Sequence, residues 1–216
     1  VPNVGKSSLL NALLQEERLP NAEFSLMNAE MLWGHRVVAG DPDVLAAMPP
    51  MPFPDLPLGE FTRLLLNRGS LLLMNEKRLV SAEPLGIAER EVFFKYLFKA
   101  ILACGDSRLA GSRRYHPSYL EKRERLGALD WPGKGAFIDL YEQAWENKFH
   151  PDYGCFAGED PVAWQRRVVP IWLETLAWFE QGRAGRPIDD WNAYGSPGFS
   201  KGQGGRSWGG LRNAAI

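Results

Sequence analysis

The sequence has few of the residues that hold metals or form disulfides. Its 216 residues include two cysteines and three histidines, which lie far apart: Cys104, Cys155, His35, His116 and His150. Two cysteines make neither a disulfide framework nor a zinc site, and the histidines lack the spacing of metal ligands. We therefore expect neither kind of site, and a reducing cytoplasm as the location.

The sequence also lacks a long hydrophobic run and a large net charge. No apolar segment approaches the roughly 20 residues of a membrane-spanning helix, and no signal peptide is visible. The formal net charge is −1, so there is no global attraction to nucleic acid or to an anionic membrane. With 45% hydrophobic residues, the composition predicts a soluble globular protein without a membrane partner.

The start of the chain contains the second half of a phosphate-binding loop. In the pattern G-x-x-x-x-G-K-[ST], backbone amides surround the phosphates, the lysine reaches the terminal phosphates and the hydroxyl binds Mg²⁺. Gly5, Lys6 and Ser7 supply the second half of this pattern. The first glycine would precede residue 1, so we expect the chain to be a fragment that starts inside the motif.

The run P-N-V-G-K-S-S-L-L-N-A-L-L resembles the first nucleotide-binding motif of the translation-factor-related GTPases. The resemblance covers residues 1–18 and implies that four residues bind the nucleotide, the last of them also Mg²⁺: Asn3, Gly5, Lys6 and Ser7. The later motifs of that family are missing. Residues 55–59 have one residue too many for D-x-x-G, and residues 147–150 end in histidine rather than in the aspartate of N-K-x-D. The alternative is an ordinary amphipathic helix with leucines at 9, 10, 13 and 14.

Local patterns predict a mainly α protein, a helical bundle with a small α/β portion at the amino end. Alternation predicts short strands at 22–27 and 36–39, followed by a short helix capped by Asp41 or Asp43. Five prolines in 49–57 exclude a helix or a central strand. We expect four parts: a truncated α/β portion at 1–48, a Pro-rich linker at 49–57, a helical domain at 58–184, and a flexible tail at 185–216 with Trp191 and Trp208 as candidate docking anchors.

Apolar residues at helical spacing predict the helices of this domain. They cover 58–74, 87–109, 117–129 and 134–149, and a long helix starts at Asp160–Pro161 with a kink expected at Pro170. Gly69 leaves a notch where another helix could approach closely. The apolar faces predict a shared core: Phe61, Leu65, Leu72, Phe93, Leu97, Ile101, Phe137, Tyr141, Trp164, Ile171 and Trp172.

Four runs in the middle of the chain point to a second family. They are GHRVVAGDPDVL at 34–45, RLLLNRG at 63–69, KYLFKA at 95–100 and RYHPSY at 114–119. With them, residues 22–180 resemble the carboxy-terminal part of bacterial nucleotidyltransferase-like proteins of the polymerase-beta type. The resemblance implies a small α/β catalytic domain followed by a helical domain, and Mg²⁺-dependent transfer of a nucleotide to an acceptor that the sequence does not identify.

Most of the carboxylates that this chemistry needs are missing. Carboxylates must hold two Mg²⁺ ions roughly 3.5–4 Å apart. The family's Gly-Ser turn and Asp-x-Asp pair are absent, since Asp41-Pro42-Asp43 lies in a Pro-broken turn. The family has a third acidic position, on the strand after the pair. Glu23 is its best match here and is the candidate metal ligand. We therefore expect the intact protein to use Mg²⁺ and a nucleoside triphosphate, and this fragment to be inactive alone.

Positive charge is concentrated in residues 90–125, which carry nine basic and four acidic side chains. Such a concentration attracts polyanions. We predict that four of the basic residues bind the phosphates of a nucleotide: Lys95, Lys99, Arg113 and Arg114. Asp106, on the same helical stripe as the lysines, is expected to restrain one of them. The alternative is a solvated helix face with intrahelical ion pairs such as Glu121–Arg125.

Three functions are consistent with these patterns. The first is the helical substrate-side region of a nucleotidyltransferase-like protein. The second is a truncated P-loop GTPase that binds GTP through residues 3–8. The third is a non-enzymatic module that binds a protein partner through its Trp-rich last helix.

The missing upstream strand and guanine-reading motif predict weak or absent GTP binding. Residues 1–18 would form a helix from about Lys6 with no parallel sheet behind its amide end. Calorimetry with GTP and Mg²⁺ should therefore give no micromolar binding, with or without the Lys6→Ala substitution. Mg²⁺-dependent micromolar binding that is lost in Lys6→Ala would show instead that the loop is functional.

Overall fold

A computed structural model describes residues 22–38, 43–80 and 84–195. The chain divides into two compact units, Val1–Pro57 and Leu58–Ile216. The P-loop-like segment and Trp208 lie outside the described residues.

The described part of the first unit contains one α-helix, α1 (Leu26–Gly34), and two short 3₁₀ helices, Val44–Ala47 and Phe53–Asp55. Helix α1 begins there because the hydroxyl of Ser25 accepts a hydrogen bond from the backbone amide of Asn28, at 3.2 Å. This contact satisfies one of the amides left open at a helix start.

The two predicted strands are wrong, and no strand occurs in the described residues. The alternation in 22–27 covers a helix cap rather than a strand, because Ser25 is the residue that begins α1. Residues 36–38 form no strand pairing, so the second predicted strand lacks the neighbouring strand that its backbone groups would need. The α/β portion expected at the amino end is therefore not found in the described residues.

The second unit is helical, as the sequence predicted. Its described residues form six α-helices and one 3₁₀ turn: α2 (Leu58–Leu79), α3 (Ile87–Gly111), α4 (Tyr119–Gly127), α5 (Lys134–Phe149), the 3₁₀ turn Gly154–Phe156, α6 (Pro161–Ala184) and α7 (Trp191–Tyr194). Helix α6 begins where predicted, because the Asp160 carboxylate accepts a hydrogen bond from the Val162 amide at 2.9 Å and proline occupies the first helical position. It stays helical through Pro170.

Helix α3 lies at the centre of this unit and packs against α2, α4, α5 and α6. Every residue from Ala103 to Ala110 is buried. This differs from the single broad apolar face that the periodicity predicted, because partners cover the end of the helix on several sides. Buried residues there include three polar ones, Asp106, Ser107 and Arg108.

Helices α2 and α6 meet at the notch predicted at Gly69. A Cβ atom at this position would lie 2.1 Å from the indole ring of Trp172, so only a residue without a side chain fits. The Trp172 indole N–H donates a hydrogen bond to the Leu65 carbonyl at 3.0 Å. The ring thereby fixes the distance between the two helices.

Nine of the eleven predicted core residues are buried. The exceptions are Ile171 and Trp172, which are partly exposed. Trp164, which the sequence placed in the core, packs edge-on against the rings of Phe94 and Phe156, with centroids 5.5 and 5.7 Å away. Two of the tryptophans of α6, Trp164 and Trp172, are thus used inside the unit.

Part of the segment predicted to be a flexible tail is held on the bundle. The hydroxyl of Tyr194 in α7 donates to the carboxylate of Glu180 in α6. Glu180 is fully buried and also accepts hydrogen bonds from Thr62 and from Arg183. Because these donors come from α2, α6 and α7, one carboxylate connects three helices.

Replacing Phe93 with alanine tests the assignment of the core. Phe93 is 0% exposed, so Phe93→Ala should lower the free energy of unfolding by about 3–5 kcal/mol. Leu73 is 73% exposed, and Leu73→Ala is the control, with an expected change within about 0.5 kcal/mol. Urea unfolding measures both. Equal stability of Phe93→Ala and the wild type would mean that the helix faces are assigned wrongly.

Candidate anion-binding site

Three basic residues from two helices form a cluster on the surface of the second unit. Lys95 and Lys99 lie one turn apart on α3, and both are exposed. Burial, followed by the positive charges of Arg68 and Lys95, lowers the pKa of Lys99. Arg68, on α2, is therefore close enough to act on Lys99 electrostatically. We call Arg68, Lys95 and Lys99 the basic cluster.

The pairing of α2 with α3 brings Arg68 to this place. The side-chain amide of Asn75 donates to the Phe93 carbonyl at 2.9 Å near one end of the pair. The rings of Phe61 and Tyr115 contact at 4.8 Å near the other end. The two helices are thus antiparallel, and Arg68 lies midway along α2. Sequence reasoning missed Arg68 as a site residue, because its neighbours come from another helix.

The sequence predicted that Asp106 would restrain Lys95 or Lys99, which lie on the same stripe of α3, and this prediction is wrong. Asp106 forms an ion pair with Lys122 of α4 instead, with 3.1 Å between Nζ and Oδ1. Lys122 is fully buried, and its ammonium group also donates to the hydroxyl of Tyr115 at 2.9 Å. The same ammonium lies 4.6 Å from the ring centroid of Tyr119. The burial of Lys122 explains the pairing, since a buried ammonium needs a counter-ion.

Arg68 is the member of the basic cluster on which Asp106 of this ion pair acts electrostatically. Its burial lowers the pKa of the guanidinium, while Tyr119 and Asp106 act in the opposite direction. Arginine remains charged under all ordinary conditions. Arg68 is therefore a partly buried, permanently charged group that is stabilised by the negative charge of Asp106 and repels the charge of Lys99.

The phenol of Tyr141 lies near Asp106. Burial, followed by the negative charge of Asp106, raises the pKa of Tyr141. The Tyr141 hydroxyl is buried and makes no hydrogen bond within the described residues. Its ring lies against Gly105, where a Cβ atom would be 2.4 Å away. Tyr141 thus remains a neutral phenol beside Asp106.

The structure does not bring Arg113 and Arg114 to the basic cluster. They follow the end of α3 at Gly111, which lies about 18 Å along the helix axis from Lys99 at the α-helical rise per residue. Arg113 has a left-handed backbone, with φ of +55°, and the Arg114 amide donates to the Leu109 carbonyl at 2.7 Å. The predicted group of four therefore splits into two separate pairs.

The other sequence candidates belong to the first unit. Glu23 is exposed in the first unit, and its backbone carbonyl accepts a hydrogen bond from Asn28 at 2.8 Å. Asp43 is exposed at the start of a 3₁₀ helix, and Asp41 is not among the described residues. In the part of the chain that the structure describes, no group of three His, Cys, Asp or Glu residues could hold a metal ion. These residues do not fit the two-Mg²⁺ site that nucleotidyl transfer needs.

Thiol chemistry is also disfavoured at the buried cysteine. Burial raises the pKa of Cys104 to about 12, although Thr175 and Arg108 oppose the shift. The thiolate is the nucleophilic form, so Cys104 stays an inert thiol at neutral pH. Arg108 pairs with Glu174 at 2.9 Å.

Comparisons with protein-family models, with curated proteins and with solved structures found no match. The site is therefore interpreted from its own geometry. Among the described residues, no helix has both the length and the apolar character to cross a membrane.

A double-mutant cycle tests the buried ion pair. Lys122→Met leaves the Asp106 carboxylate without its counter-ion and should destabilise the protein by about 3–5 kcal/mol. Adding Asp106→Asn should restore part of this loss. Arg125→Met is the matched control, because its pair with Glu121 at 3.1 Å is partly exposed and should contribute about 0.3–0.5 kcal/mol. Additive effects of the Lys122 and Asp106 substitutions in urea unfolding would contradict the pairing.

Proposed function

We propose that the second unit binds a nucleoside triphosphate through the basic cluster, as the helical substrate-side region of a nucleotidyltransferase-like protein. The observation that carries the proposal is two exposed lysines one turn apart on α3, with a third cation, Arg68, close enough to act on Lys99. Within the described residues, neither Lys95 nor Lys99 forms an ion pair with a carboxylate. Burial lowers the pKa of Lys99 most, and the positive charges of Arg68 and Lys95 lower it further.

Like charges held together destabilise the free protein. Because the pKa of Lys99 is lowered in the folded protein, the positive charge of Lys99 reduces the stability of the fold at neutral pH. This loss of stability disappears as the pH rises above that pKa. A polyphosphate would neutralise the repulsion. A folded protein that keeps such an arrangement gives up some stability at the site, as binding sites often do.

The chemical types in the cluster suit phosphate. The planar guanidinium of Arg68 can bind two oxygens of one phosphate, whereas a lysine acts as a compact positive charge. All three side chains are carried by helices packed in the bundle, and a site on rigid elements is positioned more accurately than one on loops.

The proposal gives this unit a substrate-holding role and no catalytic residue. Nucleotidyl transfer needs carboxylates that hold Mg²⁺, and the described residues supply no such group. The transfer step would belong to residues outside the described part of the chain or outside this sequence. GTP binding through residues 3–8 and partner binding by a non-enzymatic module are alternatives that the same experiment separates.

Replacing Lys99 with methionine separates binding from stability. At low salt, Lys99→Met should weaken binding of ATP by about tenfold, the value of one charge-assisted contact. The melting temperature of the free protein should stay equal or rise, because the substitution removes repulsion. Binding should weaken at high salt and as the pH rises through the lowered pKa of Lys99. Calorimetry and thermal melts give these values.

Lys77→Met is the control, since Lys77 is an exposed lysine on α2 nine residues beyond Arg68. It should leave ATP binding unchanged.

NMR titration then locates the ligand, with the largest amide shifts expected in 95–99. Shifts confined to 3–8 would support the GTPase, and the absence of any shift would support the partner module. Either result would overturn the proposal.

A further inference from the structure

We infer that Tyr119, Phe149 and Trp145 form a stacking platform for the base of the nucleotide. This inference rests on the proposed function, and it narrows the ligand from polyphosphates in general to compounds that carry an aromatic base. We call these three residues the aromatic platform. The platform lies between the carboxy-terminal end of α5 and the first turn of α4.

The rings of the platform are in contact but are not fully used by the core. The Phe149 ring lies 5.5 Å from the Tyr119 ring and 4.9 Å from the Trp145 ring. The Trp145 indole N–H donates to the Tyr119 carbonyl at 3.4 Å, which helps to hold the group together. Phe149 is nevertheless 46% exposed. An exposed ring supported by other rings offers a surface on which a planar base can stack.

The core aromatic residues show the contrast. Phe94 and Phe98 on α3 are 0% and 3% exposed, and both contact the buried ring of Phe156, at 4.8 and 5.2 Å. Those rings have no face left for a ligand. The platform differs from these core rings in its exposure and not in the chemistry of its side chains.

Tyr119 connects the platform to the basic cluster. The Lys122 ammonium lies 4.6 Å from the centroid of the Tyr119 ring and pairs at 3.1 Å with Asp106, which lies about two helical turns beyond Lys99 on α3. On the platform side, the ammonium of Lys148 lies 4.3 Å from the centroid of the Tyr119 ring. Cationic groups therefore lie on the way from the cluster to the platform. A nucleotide has the same order of parts, with phosphates at one end and a base at the other.

The nearby carboxylates do not cancel this arrangement. Glu142 pairs with Arg123, at 2.6 Å, and that guanidinium lies over the Trp145 ring at 4.8 Å. Glu146 lies 3.9 Å from the ring nitrogen of His150. Both carboxylates therefore have a basic side chain of their own beside the platform.

A comparison of ATP with inorganic tripolyphosphate tests the inference. Tripolyphosphate carries at least as much negative charge as ATP, so electrostatics alone would not favour ATP. The wild type should bind ATP about tenfold more tightly than tripolyphosphate, in line with the value of one stacked base. Phe149→Ala should remove this preference by weakening ATP alone. Calorimetry at low salt, with Mg²⁺ omitted, gives the four affinities.

Two further variants make the result specific. Phe149→Leu keeps an apolar side chain without an aromatic face and should behave like Phe149→Ala. Leu120→Ala, at a neighbouring residue that is 67% exposed, is the control and should keep the preference for ATP. Thermal melts of all variants check that the fold is intact.

The outcomes separate the two proposals. Equal affinity of the wild type for ATP and tripolyphosphate, with both weakened by Lys99→Met, would overturn the platform and leave the basic cluster in place. A preference for ATP that survives in Phe149→Ala would also overturn it. Absence of binding by either compound would overturn the proposed function and the platform together.

Discussion

The second unit depends on how the buried end of α3 accommodates its charges. Asp106 and Arg108 lie two residues apart, so they point toward different sides of the helix, and both are buried. Each takes its counter-ion from another element: Lys122 of α4 at 3.1 Å and Glu174 of α6 at 2.9 Å. A buried charge without its partner costs several kcal/mol. The positions of α4 and α6 on α3 are therefore linked to two residues of one helical turn.

The candidate site makes use of the same arrangement. The amino-terminal half of α3 keeps one exposed side, which carries Lys95 and Lys99. The buried half anchors the helix, so these lysines cannot move apart by a shift of α3 alone. Arg68 is placed beside Lys99 by α2, and the carboxylate that acts on Arg68, Asp106, is already paired with Lys122. Because Lys122 balances the charge of Asp106, Asp106 can stabilise the charge of Arg68 without competing strongly for Lys95 and Lys99. The charge of these two lysines is then available to a ligand.

The features that the sequence predicted well are the local ones. The start of α6 at Asp160–Pro161 and the whole of α5 depend on capping and periodicity within a short window, and both were predicted correctly. The strand at 22–27 failed because alternation and an N-cap serine look alike over so few residues. The place of Arg68 and the partner of Asp106 could not be predicted, because both depend on the register between helices. Local spacing contains no information about that register.

The close contact of Gly69 with Trp172 has a consequence for how this sequence can change over time. A Cβ atom at position 69 would overlap the indole ring, and the neighbouring residue in the chain is Arg68 of the basic cluster. A larger residue at 69 becomes acceptable when a smaller one replaces Trp172. The two positions are therefore expected to vary together among descendants of this protein. A lineage that enlarged residue 69 without reducing Trp172 would displace Arg68, although neither residue carries a charge or belongs to the basic cluster.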